Sequence, residues 1–114
     1  MEIVFRNRKL EKECGSMQSL QKAHGSRRAR LIVLRLKAIR AAPHLGEFWP
    51  PHQHAERCHE LKGNRARQLS MDLDDPYRLI FEPANDPVPQ RSEGGLDWYL
   101  VTAITIIGVE DTHE

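Results

Sequence analysis

QLSMDLDDPYRLIF, at residues 68–81, is the stretch of this sequence that decides the fold. Apolar and polar residues alternate on both sides of the turn-forming triplet at 74–76, Asp-Asp-Pro. Because side chains point alternately to the two faces of a β-strand, this pattern predicts two strands joined by a tight turn, each with one apolar face. The residues of these faces are Leu69, Met71 and Leu73 before the turn and Tyr77, Leu79 and Phe81 after it.

Upstream of this hairpin, the sequence predicts a strand and two helices. Residues 2–6 are rich in β-forming residues. From Lys9 to about Ala23 apolar residues recur three or four positions apart, as on one face of a helix. A second helix is expected from an N-cap at Ser26 to about Ala42, where Pro43 ends it. Its predicted buried stripe is Ala29, Ile32, Leu36 and Ile39, with Arg28, Arg35 and Lys37 pointing away from the core.

Around the hairpin, short strands alternate with irregular segments. Residues 43–55 and 83–97 are rich in proline and predict irregular connections. Cys58 to Lys62 and Trp98 to Val109 predict further strands, the second being central or last in the sheet. A strand, two helices and then several strands indicate an α+β fold, in which an antiparallel sheet carries the helical hairpin on one face. A chain of 114 residues suits a single domain over residues 1–114.

The charge of the chain is divided unevenly between its two parts. Residues 1–71 contain 15 Lys and Arg against 6 Asp and Glu, whereas residues 72–114 contain 2 against 10. A basic surface attracts phosphate backbones, although a solvated basic helix face is the alternative interpretation. Cys14 and Cys58 are too few for a disulfide framework. With no signal-peptide core and no apolar run of membrane length, we expect a cytoplasmic protein with reduced thiols and no membrane association.

Five short segments resemble, in order, motifs of HigB-type toxins of the RelE/ParE superfamily. They are Phe5 with Lys9-Leu10-Glu11, similar to F-x-x-K-x-L-E; residues 57–65, RCHELKGNR, similar to R-x-H-x-L-K-G-D/N; residues 68–71, QLSM, similar to W-S-I/V; residues 77–81, YRLIF, similar to W-R-I/L-x-F; and residues 110–113, EDTH, similar to the terminal D-Y-H. The resemblance spans most of the chain, apart from the segments 43–55 and 83–97, which look longer than usual. It implies a RelE-like fold, in agreement with the element order.

The resemblance also implies a function. RelE-like toxins of this class cleave messenger RNA on the ribosome, by attack of a ribose 2′-OH on the adjacent phosphate, without a metal or another cofactor. They thereby inhibit translation and growth until a cognate antitoxin neutralises them. The implied antitoxin is a HigA-like helix-turn-helix protein, and operator DNA is bound only through it.

Five residues are implied as catalytic by this resemblance. Arg78 would hold phosphate oxygens with its planar guanidinium, and Lys62 would add a second, more mobile positive charge. His59 and His113 would transfer protons, with Asp111 orienting or charging His113. Which histidine is the acid and which the base stays open. Each of three residues has an alternative to its catalytic role: a structural salt bridge at Arg78, a solvated turn at Lys62 and a frayed terminus at His113.

Further basic residues would bind RNA without reacting. Those of the hairpin region, Arg57, Arg65 and Arg67, would contact the RNA backbone, and those of the second helix, Arg28, Arg35 and Lys37, would contact ribosomal RNA. Thr112 departs from the resemblance, because it stands where the family usually has tyrosine, and threonine cannot stack on a base. An attenuated relative is therefore one alternative.

Other classes of function are less well supported by the sequence. A non-catalytic binder on the same fold, such as a gyrase inhibitor, tends to lack the set of basic and histidine residues found here. A DNA-binding regulator would need a helix-turn-helix pattern, which we do not find. A zinc site is not predicted, because its candidate ligands lack the paired spacing of structural zinc sites. These candidates are His44, His52, His54, Cys58 and His59.

Overall fold

The hairpin predicted from residues 68–81 is present in the computed structural model, which describes residues 1–111. Its strands are Leu69–Asp72 and Tyr77–Pro83, and they pair antiparallel with Leu69 opposite Phe81 and Met71 opposite Leu79. These four side chains are no more than 1% exposed. These side chains belong to the main core. The alternation therefore predicts which face of the hairpin joins this core, although Ser70 and Ile80 on the opposite face are fully buried as well.

The described residues form a five-stranded sheet with helices on one face. In chain order the elements are β1 (Glu2–Phe5), α1 (Arg8–Glu13), α2 (Met17–His24), α3 (Ser26–Ala41), β2 (His59–Glu60), β3 (Leu69–Asp72), β4 (Tyr77–Pro83) and β5 (Ala103–Asp111). The strand order is β1-β5-β4-β3-β2. The predicted α+β class is confirmed. One pairing differs from the expected antiparallel sheet: β1 lies parallel to β5, whose direction is set by the meander of β2 to β5.

The helical hairpin consists of α2 and α3. The predicted stripe of α3 is confirmed, since Ala29, Ile32, Leu36 and Ile39 are at most 3% exposed and join the core of the sheet. Its predicted N-cap at Ser26 is wrong, because Gly25 takes the cap position with a φ of 81° that favours glycine. The helix ends at Ala41, before Pro43, as expected.

The single helix predicted from Lys9 to about Ala23 is wrong. The chain forms two helices, α1 and α2, which are separated at residues 14–16. The hydroxyl of Ser16 accepts a hydrogen bond from the backbone N–H of Ser19 at 3.1 Å, so this serine starts a new helix. Two of the apolar residues that recur along this segment, Met17 and Leu20, lie in α2, where Leu20 is buried and Met17 is exposed.

Two predicted strands have different bounds in the structure. The strand expected from Cys58 to Lys62 is reduced to the two residues of β2. The strand expected from Trp98 to Val109 begins only at Ala103, because residues 98–100 form a 3₁₀ turn capped by the side chain of Asp97. Residues 43–55 are irregular apart from a 3₁₀ turn at Leu45–Phe48. Among residues 1–111, no helix is long and apolar enough to cross a membrane.

Candidate active site

The sheet face opposite the helices carries a row of charged side chains. Since the side chains of a strand alternate, residues next to the buried Met71 and Leu79 point to this second face. Asp72 on β3 lies opposite Arg78 on β4, and Arg78 lies opposite Glu110 on β5. The register therefore brings one cation between two carboxylates on three neighbouring strands.

Asp72 holds two guanidinium groups beside each other. Its Oδ1 lies 3.2 Å from Nη1 of Arg78, and its Oδ2 lies 3.3 Å from Nε of Arg57. The Oδ1 atom is buried and makes no hydrogen bond of good geometry within residues 1–111, so its contact with Arg78 is mainly electrostatic. Each guanidinium retains further N–H groups that can bind an anion.

His59 lies beside this group of charges, on β2. Its Nδ1 is 2.9 Å from the carbonyl oxygen of Arg57, and its Nε2 is 3.4 Å from the hydroxyl of Ser70. A carbonyl oxygen can only accept a hydrogen bond, so Nδ1 carries a proton and donates it to Arg57. In the neutral ring Nε2 then holds the lone pair, and in the charged ring it holds a second proton.

His52 also lies at this site, although it belongs to none of the sequence motifs. Its ring stacks on that of His59, with centroids 4.1 Å apart and planes inclined by 22°. Partial desolvation lowers the pKa of His52, and His59, Arg57 and Arg78 lower it further. The sequence shows His52 only as one of several histidines in an irregular segment, so no local pattern marks it out.

Arg65 binds the other end of the charged row. Its Nη1 and Nη2 donate to the two carboxylate oxygens of Glu110 at 2.8 and 2.9 Å. Its Nε and Nη2 also donate to Oε1 of Gln68 at 2.9 and 2.7 Å. Because Glu110 pairs with Arg78 in the sheet, Arg65 extends the cationic surface toward the turn after β2.

The remaining residues expected at the site lie around its edge. Lys62 is exposed at the start of the turn Gly63–Arg65, and Arg67 is exposed beside a groove of about 280 Å³ that Glu60 and Glu82 also line. Asp111 is the last residue of β5 and lies opposite Tyr77. Thr112 and His113 lie outside the described residues.

The three helix cations have different surroundings. Arg28 donates two hydrogen bonds to Asp74, at 2.8 and 3.1 Å, and lies 3.4 Å from the centre of the Tyr77 ring. This guanidinium lowers the pKa of the Asp74 carboxyl. Lys37 is exposed.

Arg35 does not point away from the core as expected, and that prediction is wrong. The residue is 8% exposed, and its Nε donates to the carbonyl oxygen of Asp72 at 2.7 Å. Its Nη2 reaches the carbonyl oxygen of Ala55 at 3.4 Å. The guanidinium thus donates its hydrogen bonds to backbone carbonyl oxygens inside the protein. Arg35 therefore does not belong to the surface that was expected to contact ribosomal RNA.

The histidines do not gather into a metal site in the part of the chain that is described. No group of three His, Cys, Asp or Glu residues within residues 1–111 lies close enough to hold a metal ion. The ring of His44 lies 5.3 Å from that of Tyr99, whereas those of His52 and His59 stack on each other. Cys58 is completely buried, and burial raises the pKa of its thiol.

Comparison with known proteins relates the whole fold to a toxin. Neither a protein-family model nor a curated protein matches the sequence. A solved structure, described as a YoeB/ParE toxin from Agrobacterium tumefaciens, matches 99% of this chain and 100% of that chain with a TM-score of 0.58 and 12% sequence identity. The chain has the fold of that toxin. The RelE-like fold expected from the motifs is thereby confirmed, over nearly the whole length of the sequence.

Proposed function

We propose that this protein is the toxin of a toxin–antitoxin pair, acting as a single domain over residues 1–114, and that it cuts messenger RNA on the ribosome. The observation that carries the proposal is the arrangement around Asp72. This carboxylate holds Arg57 and Arg78 side by side next to the imidazole of His59, on the helix-free face of a toxin-like sheet.

These groups suit the chemistry of RNA cleavage by the ribose 2′-OH. Attack on phosphorus concentrates negative charge on the phosphoryl oxygens, which guanidinium N–H groups can bind with paired hydrogen bonds. A histidine can take or give a proton near neutral pH. In this proposal Arg78 and Lys62 stabilise the charge, and His59 and His113 transfer protons with the help of Asp111. The reaction requires no metal and no other cofactor.

Further cations would hold the RNA. Arg57, Arg65 and Arg67 surround the site, and Lys37 on α3 is available for ribosomal RNA. The excess of basic residues in the first part of the chain supports attraction to phosphate backbones. The proposed partners are the ribosome with its messenger RNA and a HigA-like antitoxin, through which alone the complex binds operator DNA. The proposed location is the cytoplasm, without membrane contact.

A non-catalytic binder of the same fold is the second candidate function, and one observation favours it. The carboxylates of Asp72 and Glu110 already compensate the arginines of the open face. An RNA phosphate would have to compete with these carboxylates. A protein that blocks a target such as gyrase, or an attenuated toxin with Thr112 in place of tyrosine, needs no such exchange.

Expression of the chain in growing cells, with mapping of messenger RNA ends, separates the two candidates. We expect growth arrest and breaks within translated frames, with little cutting of naked RNA. Arg78→Ala should lower the cutting rate by about 10²–10³-fold, as for removal of one donor to a developing oxyanion. Arg91→Ala is the matched control, because Arg91 forms an exposed ion pair with Glu93 outside the site. Growth arrest without cuts, or with loss of gyrase activity alone, would favour the binder.

A further inference from the structure

The segment before β2 places a second imidazole in the site, and the function proposed above does not use it. His52 stacks face to face on His59, with 4.1 Å between ring centroids. The backbone also fixes its position: the N–H of His52 donates to the carbonyl oxygen of Cys58 at 3.1 Å, and Nη1 of Arg57 donates to the carbonyl oxygen of His52 at 3.3 Å. His52 is therefore tied to the residues that flank His59.

The backbone of this segment adopts a conformation that side chains disfavour. His52, His54 and Arg57 have φ angles of 66°, 63° and 48°, in the left-handed region. Such residues persist only where the surrounding structure imposes them, and they occur preferentially at functional sites. Here the unfavourable conformation folds the chain back, so that His52 covers His59.

We propose that His52 is the second proton-transfer residue of the site, taking the proton of the ribose 2′-OH while His59 protonates the departing 5′-oxygen. This inference rests on the proposed function and assigns to His52 a role which that proposal divides between His59 and His113. The 2′-oxygen gives its proton to His52 and bonds to phosphorus, and the bond from phosphorus to the 5′-oxygen breaks. The 5′-oxygen takes its proton from His59, which leaves a 2′,3′-cyclic phosphate and a 5′-hydroxyl.

The charges around the two rings support this direction of proton transfer. His52 faces the cations Arg57 and Arg78 and the ring of His59, and Asp72 is the one group of residues 1–111 that opposes their effect. These neighbours and partial desolvation lower the pKa of His52, so its neutral form, which a base requires, is favoured. His59 already donates from Nδ1 to the Arg57 carbonyl, so a protonated Nε2 would be the donor to the 5′-oxygen. The contact that Nε2 has to give up is the long one to the Ser70 hydroxyl, at 3.4 Å. After the reaction both rings return to their starting states by proton exchange with water.

The test measures single-turnover cutting on programmed ribosomes as a function of pH. His52→Asn should lower the rate by about 10²–10⁴-fold, the range for general acid–base catalysis, and should remove the acidic limb of the pH profile. Asparagine tolerates the left-handed backbone, so the segment can keep its conformation. His54→Asn is the matched control, since the φ angle of His54 is nearly the same as that of His52. This variant should cut at the wild-type rate.

A modified message distinguishes the base from the acid. In a message with sulfur in place of the bridging 5′-oxygen at the cut site, the leaving group departs without protonation. His59→Gln should then cut at nearly the wild-type rate, whereas His52→Asn should stay slow. Three outcomes would overturn the assignment and leave the proposed function standing. They are equal rescue of both variants, cutting by His52→Asn at the wild-type rate, and loss of the acidic limb in His113→Asn but not in His52→Asn. If the wild-type protein makes no cuts, both proposals fail together.

Discussion

Replacement of Arg35 by methionine tests whether this buried arginine stabilises the fold instead of binding RNA. Methionine has a similar length and nearly the same helix propensity, so α3 itself should be unaffected. The change removes the donor that Nε provides to the carbonyl oxygen of Asp72 at 2.7 Å, and a weaker one to Ala55 at 3.4 Å.

The magnitude follows from these contacts. A hydrogen bond from a charged group contributes about 1.5–3 kcal/mol, and the longer contact adds little to it. Unfolding entropy of about 2.1 cal/mol/K per residue over 114 residues converts each kcal/mol into about 4 °C. Arg35→Met should therefore lower the Tm by about 6–12 °C.

Thermal unfolding followed by circular dichroism measures this change, and Lys37→Met is its matched control. Lys37 lies two residues later on the same helix and is exposed, so its replacement should alter the stability by less than about 0.5 kcal/mol. Equal Tm values for the two variants would refute the reasoning. Slower RNA cutting by Arg35→Met at an unchanged Tm would show instead that the guanidinium contacts RNA.

Three further predictions concern packing, pH and thiol reactivity. Gly46→Ala should lower the free energy of unfolding by about 1–3 kcal/mol, because a Cβ there would lie 2.5 Å from the ring of Tyr99. Urea unfolding should show a much smaller loss in a Tyr99→Ala background, and an equal loss would contradict the clash. Asp74→Asn should lower stability at pH 7 by about 1.5–3 kcal/mol, since the carboxylate accepts two hydrogen bonds from Arg28. Because folding lowers the pKa of Asp74, this difference should shrink as the pH falls below the ordinary value of 3.8, and a difference independent of pH in melting experiments would refute the assignment. Burial raises the pKa of Cys14 to about 11, against 9.0 for an ordinary cysteine. Because the thiolate is the reacting form, its alkylation by iodoacetamide at pH 7.5 should be on the order of 100-fold slower than that of a free thiol. A comparable rate would contradict its burial.

The sequence predicts those parts of the fold that depend on local alternation. The core-facing side of the 68–81 hairpin and the buried stripe of α3 follow from side-chain periodicity, and both are confirmed. The burial of Ser70 and Ile80 on the other face of the hairpin does not follow from it. The break between α1 and α2 was missed because the apolar stripe continues across residues 14–16, although Gly15 and Ser16 supply the signals for a helix end and a new N-cap.

The parts of the site that depend on distant contacts could not be predicted. Arg35 is buried with backbone carbonyl oxygens as its hydrogen-bond partners. These partners lie 20 and 37 residues away in the sequence, so the periodicity of the helix does not reveal them. His52 meets His59 only through an unusual backbone path in an irregular segment. By contrast, His59 and Arg78 were identified from motif positions, and the structure brings both next to Asp72 or its neighbour Arg57. Their catalytic roles stay predictions.

The parallel contact between β1 and β5 has a consequence for the time at which the sheet can form during synthesis. β5 is the last strand of residues 1–111, yet it lies inside the sheet, between β1 and β4. While the ribosome is still making β5, β1 has no strand to join and Arg65 has no Glu110 to bind. Pairing over so long a sequence separation is slow, so the sheet stays incomplete until β5 emerges from the ribosome. During the synthesis of each molecule, the charged face of the sheet is thus not yet assembled until β5 has been made.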